Sequence, residues 1–477
     1  MPQTEYDVLV LGGGPAGENA ADIAGRDGLS VALIESELLG GECSYWACMP
    51  SKALLRPGEA LDEAKRVPGA RGAVTGDLDL ADAFSRRDDL ASHWDDSSQV
   101  EWLESVGVDL IRGHGRLTGE KEIEVTSEDG ESVTYTARRA VVVATGSSAS
   151  FPPIPGLDYV GTWDNRDITV LSDPPRRLLI IGGGVVGVEM AQAWRQLGSD
   201  EVTIVELAVR LLAGEEPFVG EELRSSLERM GVIIHTSAET KKVSRNGDGP
   251  VSLQVVLSDG TEAQLEADEI LVATGRRPNT SDIGVDSIGL DPGEPIEVDD
   301  RLVAKGVDGD WLYVVGDVNG RSLLTHAGKY QARIAGAHIN GRAAEAWGDR
   351  TAVPRVVFTT PEIAAVGLTE EQAVDRGLAI RTVEYDIGST AAAPVVGKGY
   401  KGTCKLVVDA EREVILGATF VGPRVGEMLH AATIAIVGEV VIADLWHAIP
   451  SFPTLSEVWL RLLETYRDEY GIDGVTS

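Results

Sequence analysis

Short apolar runs, glycine turns and small-residue helical stretches follow one another along this chain in an order that builds parallel sheet. Tyr6-Asp7-Val8-Leu9-Val10-Leu11 is nearly unbroken apolar sequence, as expected of a strand covered on both faces. Gly12-Gly13-Gly14-Pro15-Ala16-Gly17 follows, then Asn19-Ala20-Ala21-Asp22-Ile23-Ala24 with helical spacing. A second strand, Ser30-Val31-Ala32-Leu33-Ile34, ends at Glu35. The same order returns later: Arg177-Leu178-Leu179-Ile180-Ile181, then Gly182-Gly183-Gly184-Val185-Val186-Gly187, a helix carrying Glu189, and Val202-Thr203-Ile204-Val205 ending at Glu206. Strand–helix–strand openings of this kind predict an α/β chain with two Rossmann-like units.

Residues 53–110 show helical spacing through Ala81-Asp82-Ala83-Phe84 and Val100-Glu101-Trp102-Leu103. Gly113-His114-Gly115 and strands around Ile123-Glu124-Val125 and Val133-Thr134-Tyr135 come next, and Ala140 to Gly146 is a separate buried strand ending in a glycine turn. Phe151-Pro152-Pro153-Ile154-Pro155-Gly156 is a linker. Ile270 to Asn279 closes the second unit and echoes Ala144-Thr145-Gly146; Trp311 to Asp317 and Leu324-Thr325-His326-Ala327 follow. From about residue 350 the glycine fingerprints cease. Lys405 to Val408 and Val414 to Ala418 read as antiparallel sheet, with the helix Glu427 to Ala435 packed on it. The apolar stretch beyond contains Glu439 and Asp444, which suits a core or interface helix. No run reaches the roughly 18 apolar residues of a membrane span.

At roughly 150 residues per domain, 477 residues predict about three domains. The net charge of −34 argues against nucleic acid and anionic membranes as partners; adaptation to a salty cytoplasm or a biased genome would equally produce it. The N-terminus has no basic region and runs straight into a strand, so no signal peptide is expected. Three cysteines in such a chain point to a reducing cytoplasm, where a close pair is more often catalytic than structural.

Candidate chemistry begins at the glycines. Gly12 allows the tight turn, Gly14 lets a pyrophosphate approach the helix end, and Gly17 lets helix and strand pack closely. Glu35 stands where a carboxylate binds the ribose hydroxyls of an adenosine. Gly182, Gly184 and Gly187 repeat these roles, so two dinucleotides are expected. Glu206 would repel a 2′-phosphate and accept from a free 2′-hydroxyl; NAD is therefore preferred, with Arg210 nearby leaving NADP open. Cys43 and Cys48, five positions apart, lie before a helix-like run. A helix N-terminus favours thiolate, and a close pair can cycle between dithiol and disulfide. Two buried structural cysteines are the alternative; zinc is disfavoured because no further ligands lie close by, so no metal site is expected.

In these motifs the chain resembles the FAD-dependent pyridine nucleotide–disulfide oxidoreductases, a family that includes dihydrolipoamide dehydrogenase, glutathione reductase and mercuric reductase. The motifs run in family order: the Gly12 fingerprint, Cys43 and Cys48 with Pro50-Ser51-Lys52, Ala144-Thr145-Gly146, the Gly182 fingerprint, Ala273 to Asn279, Gly316-Asp317, Phe358 to Ala364, and Pro453-Thr454-Leu455-Ser456-Glu457. The resemblance implies an FAD-binding domain in 1–150 and 277–348, an NAD(P)-binding domain in 151–276, and an α+β dimerisation domain in 349–477. It implies FAD and NAD as cofactors, a homodimer, and a small-molecule electron acceptor. Glu35 would hold the FAD ribose and Asp317 the ribityl and pyrophosphate. Gly115, Thr145, Gly146, Ser147 and Leu324, Thr325, His326, Ala327 would line the flavin; Gly275 is a further cofactor-binding residue. Cys48 would be the flavin-facing thiol and Cys43 the interchange thiol. Lys52 and Glu189 would pair near the flavin, the alternative being a structural salt bridge between domains.

One position departs from the family. In the disulfide reductases a histidine precedes Pro-Thr-x-Ser-Glu, serves as acid–base for the interchange thiol, and comes from the partner subunit. Here the position is Phe452, which carries no proton. Glu457, the residue that orients that histidine, remains. Mercuric reductase also departs here but carries a C-terminal cysteine pair, and Gly474-Val475-Thr476-Ser477 has none. His447 is a candidate substitute, with an ordinary partly buried histidine the more usual reading; Cys404 reads as a buried inert thiol. The expected function is an NAD(P)H oxidoreductase passing electrons through flavin and Cys43–Cys48 to a small disulfide, a quinone or a metal ion. A divergent dihydrolipoamide dehydrogenase and a non-enzymatic redox-sensing flavoprotein are the alternatives.

Overall fold

The structure, a computed structural model, describes residues 3–472. The first two residues and the tail Gly474–Ser477 singled out above lie outside them. The chain divides into two compact units, one formed by residues up to Pro50, Arg87–Ser150 and Arg276–Arg350, the other by Ser51–Arg86, Phe151–Gly275 and the residues from Thr351 onward.

In the first unit, strands Val108–Arg112, Val31–Glu35, Glu5–Leu11, Ser132–Val143 and Leu312–Val314 lie side by side and parallel. Val8, Leu9, Val10, Val141, Val142, Leu312 and Val314 are fully buried, which is why these segments read as continuous apolar runs rather than alternations. Two expectations needed correction. The separate strands expected at Val133–Tyr135 and Ala140–Ala144 are one strand, Ser132–Val143. Its first half pairs antiparallel with Glu122–Thr126 and its second half parallel with Glu5–Leu11. Arg138 sits at a bulge where Tyr6 and Val8 face Ala137 and Ala140, and its guanidinium donates to Asp7 at 2.9 Å. The helical expectation over 53–110 resolves into helices Cys48–Arg66, Leu80–Leu90 and Ser97–Ser105, with Val108–Arg112 a strand. The periodicity is real within each helix, but the stretch between the first two carries a proline and three glycines and is mostly exposed.

The second unit holds a parallel sheet in the order Val232–His235, Glu201–Val205, Arg177–Ile181, Glu269–Val272, with helix Val185–Gln196 burying Trp194 among Leu178, Ile180 and Val202. A three-stranded antiparallel sheet spans Glu239–Ala267. The five-stranded sheet from Pro354 to Gly422 is antiparallel throughout, and packs Phe420 and Leu406 against helices Leu429–Val437 and Glu457–Tyr470. Lys405 on this sheet is buried, and Glu216 at 3.0 Å together with Glu370 offsets its charge. Among the described residues no helix is long and apolar enough to cross a membrane.

Both strand–helix openings depend on missing side chains. A Cβ at Gly17 would stand 1.9 Å from the Gly12 carbonyl oxygen, and one at Gly187 would stand 2.0 Å from that of Gly182. At Gly14 and Gly184 a Cβ would meet nothing within 4 Å. Gly17→Ala is therefore expected to destabilise the fold by about 1–3 kcal/mol, as overpacking does, while Gly14→Ala leaves the unfolding midpoint nearly unchanged. Thermal unfolding of the two variants side by side measures this; equal midpoints would contradict the packing argument.

Candidate active site

The first fingerprint helix, Pro15–Gly25, begins at Gly14 with no side-chain cap, so no side chain at its start competes for the leading N–H groups. Gly12 turns the chain at φ +103°, where a Cβ would lie 2.5 Å from the Ala144 carbonyl. Glu35 accepts from the Gly13 N–H at 2.6 Å and the Glu37 N–H at 2.8 Å, so its carboxylate is fixed beside the turn. A bare helix end, a bare glycine turn and an anchored carboxylate fit the diphosphate and ribose of FAD. The second opening repeats this arrangement. Gly184 leads helix Val185–Gln196 without a side-chain cap, Gly182 has φ +111°, and Glu206 accepts from Gly183 and Ala208.

Around Asp317 a polar lattice assembles. The half-buried carboxyl accepts from Ser147 Oγ at 2.6 Å, and Arg276 donates to the same hydroxyl at 2.7 Å and reaches Glu42 at 3.5 Å. Burial pushes the Asp317 carboxyl above the usual carboxylate range against the pull of that hydrogen bond. Thr145 Oγ1 donates to the Asn279 carbonyl, and the Asn279 side chain donates to the Thr145 carbonyl at 2.9 Å, pinning the turn at Gly146, φ +71°. Arg276 and Asn279 belong to the motif read above, but their role as props of this turn was not legible. Gly115 has a local explanation: a Cβ there would sit 2.5 Å from the Leu11 side chain. Leu324 leads helix Thr325–Ile339; Ala327 is buried and His326 exposed.

Cys43 lies in the five-residue helix Gly41–Tyr45 and Cys48 starts the helix Cys48–Arg66. The two sulfurs are joined by a hydrogen bond, and Cys48 Sγ lies 3.5 Å from Thr325 Oγ1. The expectation of a thiolate-favouring helix end needs correction for Cys43. The hydrogen bond to Cys48, then burial and the neighbouring sulfur's charge, push its thiol up, while Thr325 and Lys329 pull it down more weakly. A single helical turn has almost no dipole to offer.

In the second unit Lys52 Nζ and Glu189 Oε2 lie 2.7 Å apart, and Glu189 also accepts from the Phe358 N–H at 2.9 Å, with the ammonium 4.9 Å above the Phe358 ring. Gln192, one turn beyond Glu189, braces Thr360. Gly275 takes φ +142°. Glu457 is buried and fully engaged, by Ala391 N–H at 3.0 Å and Arg461 at 2.7 Å. Phe452 is 76 % exposed. His447 is exposed rather than partly buried, and Cys404 is fully buried with its thiol pushed up by desolvation.

One group of the first unit was not singled out in the sequence. Glu18, in the first turn of helix Pro15–Gly25, is buried to 8 % exposure with Oε1 unpartnered. Burial pushes its carboxyl up to about 7; Lys329 opposes this and Glu35 adds to it. The folded chain thus holds this proton more tightly than the unfolded chain, whose value is near 4.5. Stability from Glu18 is fully present below that value and is lost as pH rises toward about 7, a loss of about 3 kcal/mol in all. Glu18→Gln is expected to remove this slope, so that variant and wild type differ more at pH 8 than at pH 5 in thermal unfolding; parallel pH profiles would contradict it.

Comparison with known proteins places this geometry. Residues 6–335 match the pyridine nucleotide-disulphide oxidoreductase family and residues 353–462 its dimerisation domain. The chain is 33% identical to a mercuric reductase of Staphylococcus aureus over 95% of its own length and 81% of the relative. It is 34% identical to a dihydrolipoyl dehydrogenase of Chlorobaculum tepidum over 95% of each. The HOCl-induced flavoprotein disulfide reductase RclA of Escherichia coli, solved also as a Cu(II) complex, superposes with TM-score 0.83 at 26% identity in that complex, over 97% of this chain and 99% of RclA. This chain belongs to the pyridine nucleotide-disulphide oxidoreductases, as an FAD-dependent, homodimeric α/β enzyme that oxidises or reduces NAD(P)(H) and works through a redox-active disulfide.

Proposed function

We propose that this enzyme takes electrons from NADH and that its Cys43–Cys48 dithiol delivers them to a thiophilic metal ion. The observation that carries the choice of acceptor is Phe452, an exposed phenyl ring where the family's proton-carrying histidine would stand. Disulfide exchange must protonate a departing thiolate. Metal reduction has no such leaving group: two thiolates bind the ion, two electrons pass to it or to two ions in turn, and the S–S bond reforms. A mercuric reductase among the relatives and the Cu(II) complexes of RclA are in keeping with this acceptor class.

The assigned roles follow the same reading. FAD would be held by Gly12, Gly14, Gly17, Glu35, Asp317, the turn Thr145-Gly146-Ser147 and the helix start Leu324–Ala327. When bound it supplies a two-electron relay between nicotinamide and sulfur. Lys52, fixed by Glu189, is the cation available to negative charge on the reduced ring. Cys48 is the flavin-side thiol and Cys43 the outer one. Glu457 braces its own helix start by holding Arg461 and Ala391. Residues 1–150 with 277–348, 151–276 and 349–477 are assigned as FAD, nicotinamide and dimerisation domains.

NADH is preferred because Glu206 is fixed at the strand end by two backbone N–H groups, where it would repel a 2′-phosphate. Arg210 gives its charge to the Ala213 and Glu215 carbonyls instead.

Anaerobic NADH titration is expected to raise a long-wavelength thiolate-to-flavin band that Cys48→Ser abolishes. A panel of Hg(II), Cu(II), lipoamide and glutathione disulfide should favour the metals. Phe452→His should raise disulfide turnover, general acid–base groups being worth about 10²-fold or more. Robust turnover of dihydrolipoamide with NAD by the wild type would overturn the proposal in favour of a divergent dihydrolipoamide dehydrogenase. In the same assays kcat/KM should be higher with NADH than NADPH, and Glu206→Ala should narrow the gap; an NADPH preference would overturn the nucleotide assignment.

A further inference from the structure

Between helices Leu80–Leu90 and Ser97–Ser105 the backbone turns with the wrong hand. Ser92, His93 and Trp94 take φ +51°, +50° and +56°. The N–H groups of Trp94 and Asp95 close this left-handed turn onto the Ala91 and Ser92 carbonyls at 2.9 Å each. Among the described residues no other three consecutive non-glycine residues share this conformation. A Cβ crowds its own backbone there, and the cost is sustained only where the surroundings fix it.

Trp94 and Asp96 show what the turn is for. The segment bearing Cys43 runs from Leu39 through the short helix Gly41–Tyr45. The last carbonyls of a helix have no partner inside it, and the Trp94 indole N–H donates to that of Tyr45 at 3.2 Å. At the other end Asp96 Oδ2 accepts from the Leu39 N–H at 2.7 Å. Arg112 pairs with the same carboxylate and donates to the Glu37 carbonyl at 2.5 Å. The Tyr45 hydroxyl donates back to the Leu39 carbonyl at 2.9 Å, which closes the segment on itself, and the Gly40 N–H donates to the Gly13 carbonyl at 2.8 Å, which ties it to the first glycine turn. Trp94 is held in its turn by the buried Arg87, whose guanidinium lies 5.6 Å from the ring centroid. Had helix Leu80–Leu90 simply continued, residues 94 and 96 would point to different faces. The left-handed turn lets both reach the one segment.

We propose that Trp94 and Asp96 are positioning residues of the Cys43–Cys48 pair, and that the strained turn serves to hold the Cys43 segment at both ends. This rests on the reading of the two cysteines as the redox pair. Closing the pair joins two thiols through one S–S bond and releases two protons and two electrons to the acceptor. A segment already fixed beside Cys48 in the dithiol loses little freedom in that step, which favours the disulfide. A released segment must be ordered afresh each time the bond forms. Trp94 and Asp96 act on the sulfurs only through Tyr45 and Leu39.

The test equilibrates the holoenzyme anaerobically with mixtures of reduced and oxidised dithiothreitol, alkylates the free thiols, and counts them at Cys43 and Cys48 by mass spectrometry. The oxidised reagent takes up the two electrons and two protons. Trp94→Phe keeps a ring and removes the donor. Its equilibrium should move about tenfold toward the dithiol, the cost of ordering roughly one residue of backbone, which raises the potential by about 30 mV. Asp96→Ala should move it the same way. Asp96→Asn, which keeps an acceptor for the Leu39 N–H, should stay with the wild type. Thermal unfolding of the same proteins separates positioning from simple support: lowered midpoints with wild-type potentials in Trp94→Phe and Asp96→Ala overturn the proposal. If Trp94→Phe fails to fold, the two Asp96 variants decide, and equal potentials in them overturn it too. A wild-type enzyme that forms no disulfide at any ratio instead overturns the reading of Cys43 and Cys48 as the redox pair.

Discussion

A dinucleotide's diphosphate reaches a helix end only where no side chain stands in front of it. That steric requirement governs both parallel sheets of this chain. Gly14 and Gly184 leave the helix ends uncapped, and Gly17 and Gly187 let each helix settle onto the carbonyl of the glycine that opens its turn. Everything downstream inherits this geometry. Glu35 and Glu206 accept from the N–H groups of Gly13 and Gly183, so each carboxylate is positioned by the same bare turn that admits the phosphates. A carboxylate tied to backbone on one side still has lone pairs to offer a ribose.

Because this constraint falls on residue type, it was legible in the sequence. Glycine spacing, the apolar runs before it and the acid after it carry their meaning without knowledge of any distant contact. The same holds for the antiparallel sheet after residue 350. What the sequence hid depended on partners far along the chain. Ser132–Val143 is one strand because two different neighbours pair with its two halves, and no local pattern announces a change of partner. Arg276 and Asn279 buttress the turn at Thr145–Gly146 across more than a hundred residues. Glu18 lies inside a small-residue helix where a polar residue reads as solvent-facing, yet it is buried, a fact set by packing that no local pattern announces.

The cysteine pair shows where local rules mislead. A helix N-terminus lowers a thiol's pKa by offering N–H groups and a dipole. Cys43 sits within a five-residue helix and next to a second sulfur, so hydrogen bonding to Cys48 and desolvation outweigh the helix. Proximity of two thiols stabilises one shared proton between them, which raises one member of the pair as it favours the thiolate of the other. The same contact that lets the pair close into a disulfide therefore also holds a proton between the two sulfurs.

That division bears on why the chain tolerates phenylalanine at position 452. A thiol that keeps its proton must be relieved of it before sulfur can bind a metal or close a disulfide, and an exposed phenyl ring gives no help. The Lys329 charge lowers both the Cys43 thiol and the Glu18 carboxyl against the effect of burial, and the buried Glu18 Oε1 without a hydrogen-bond partner carries a desolvation cost.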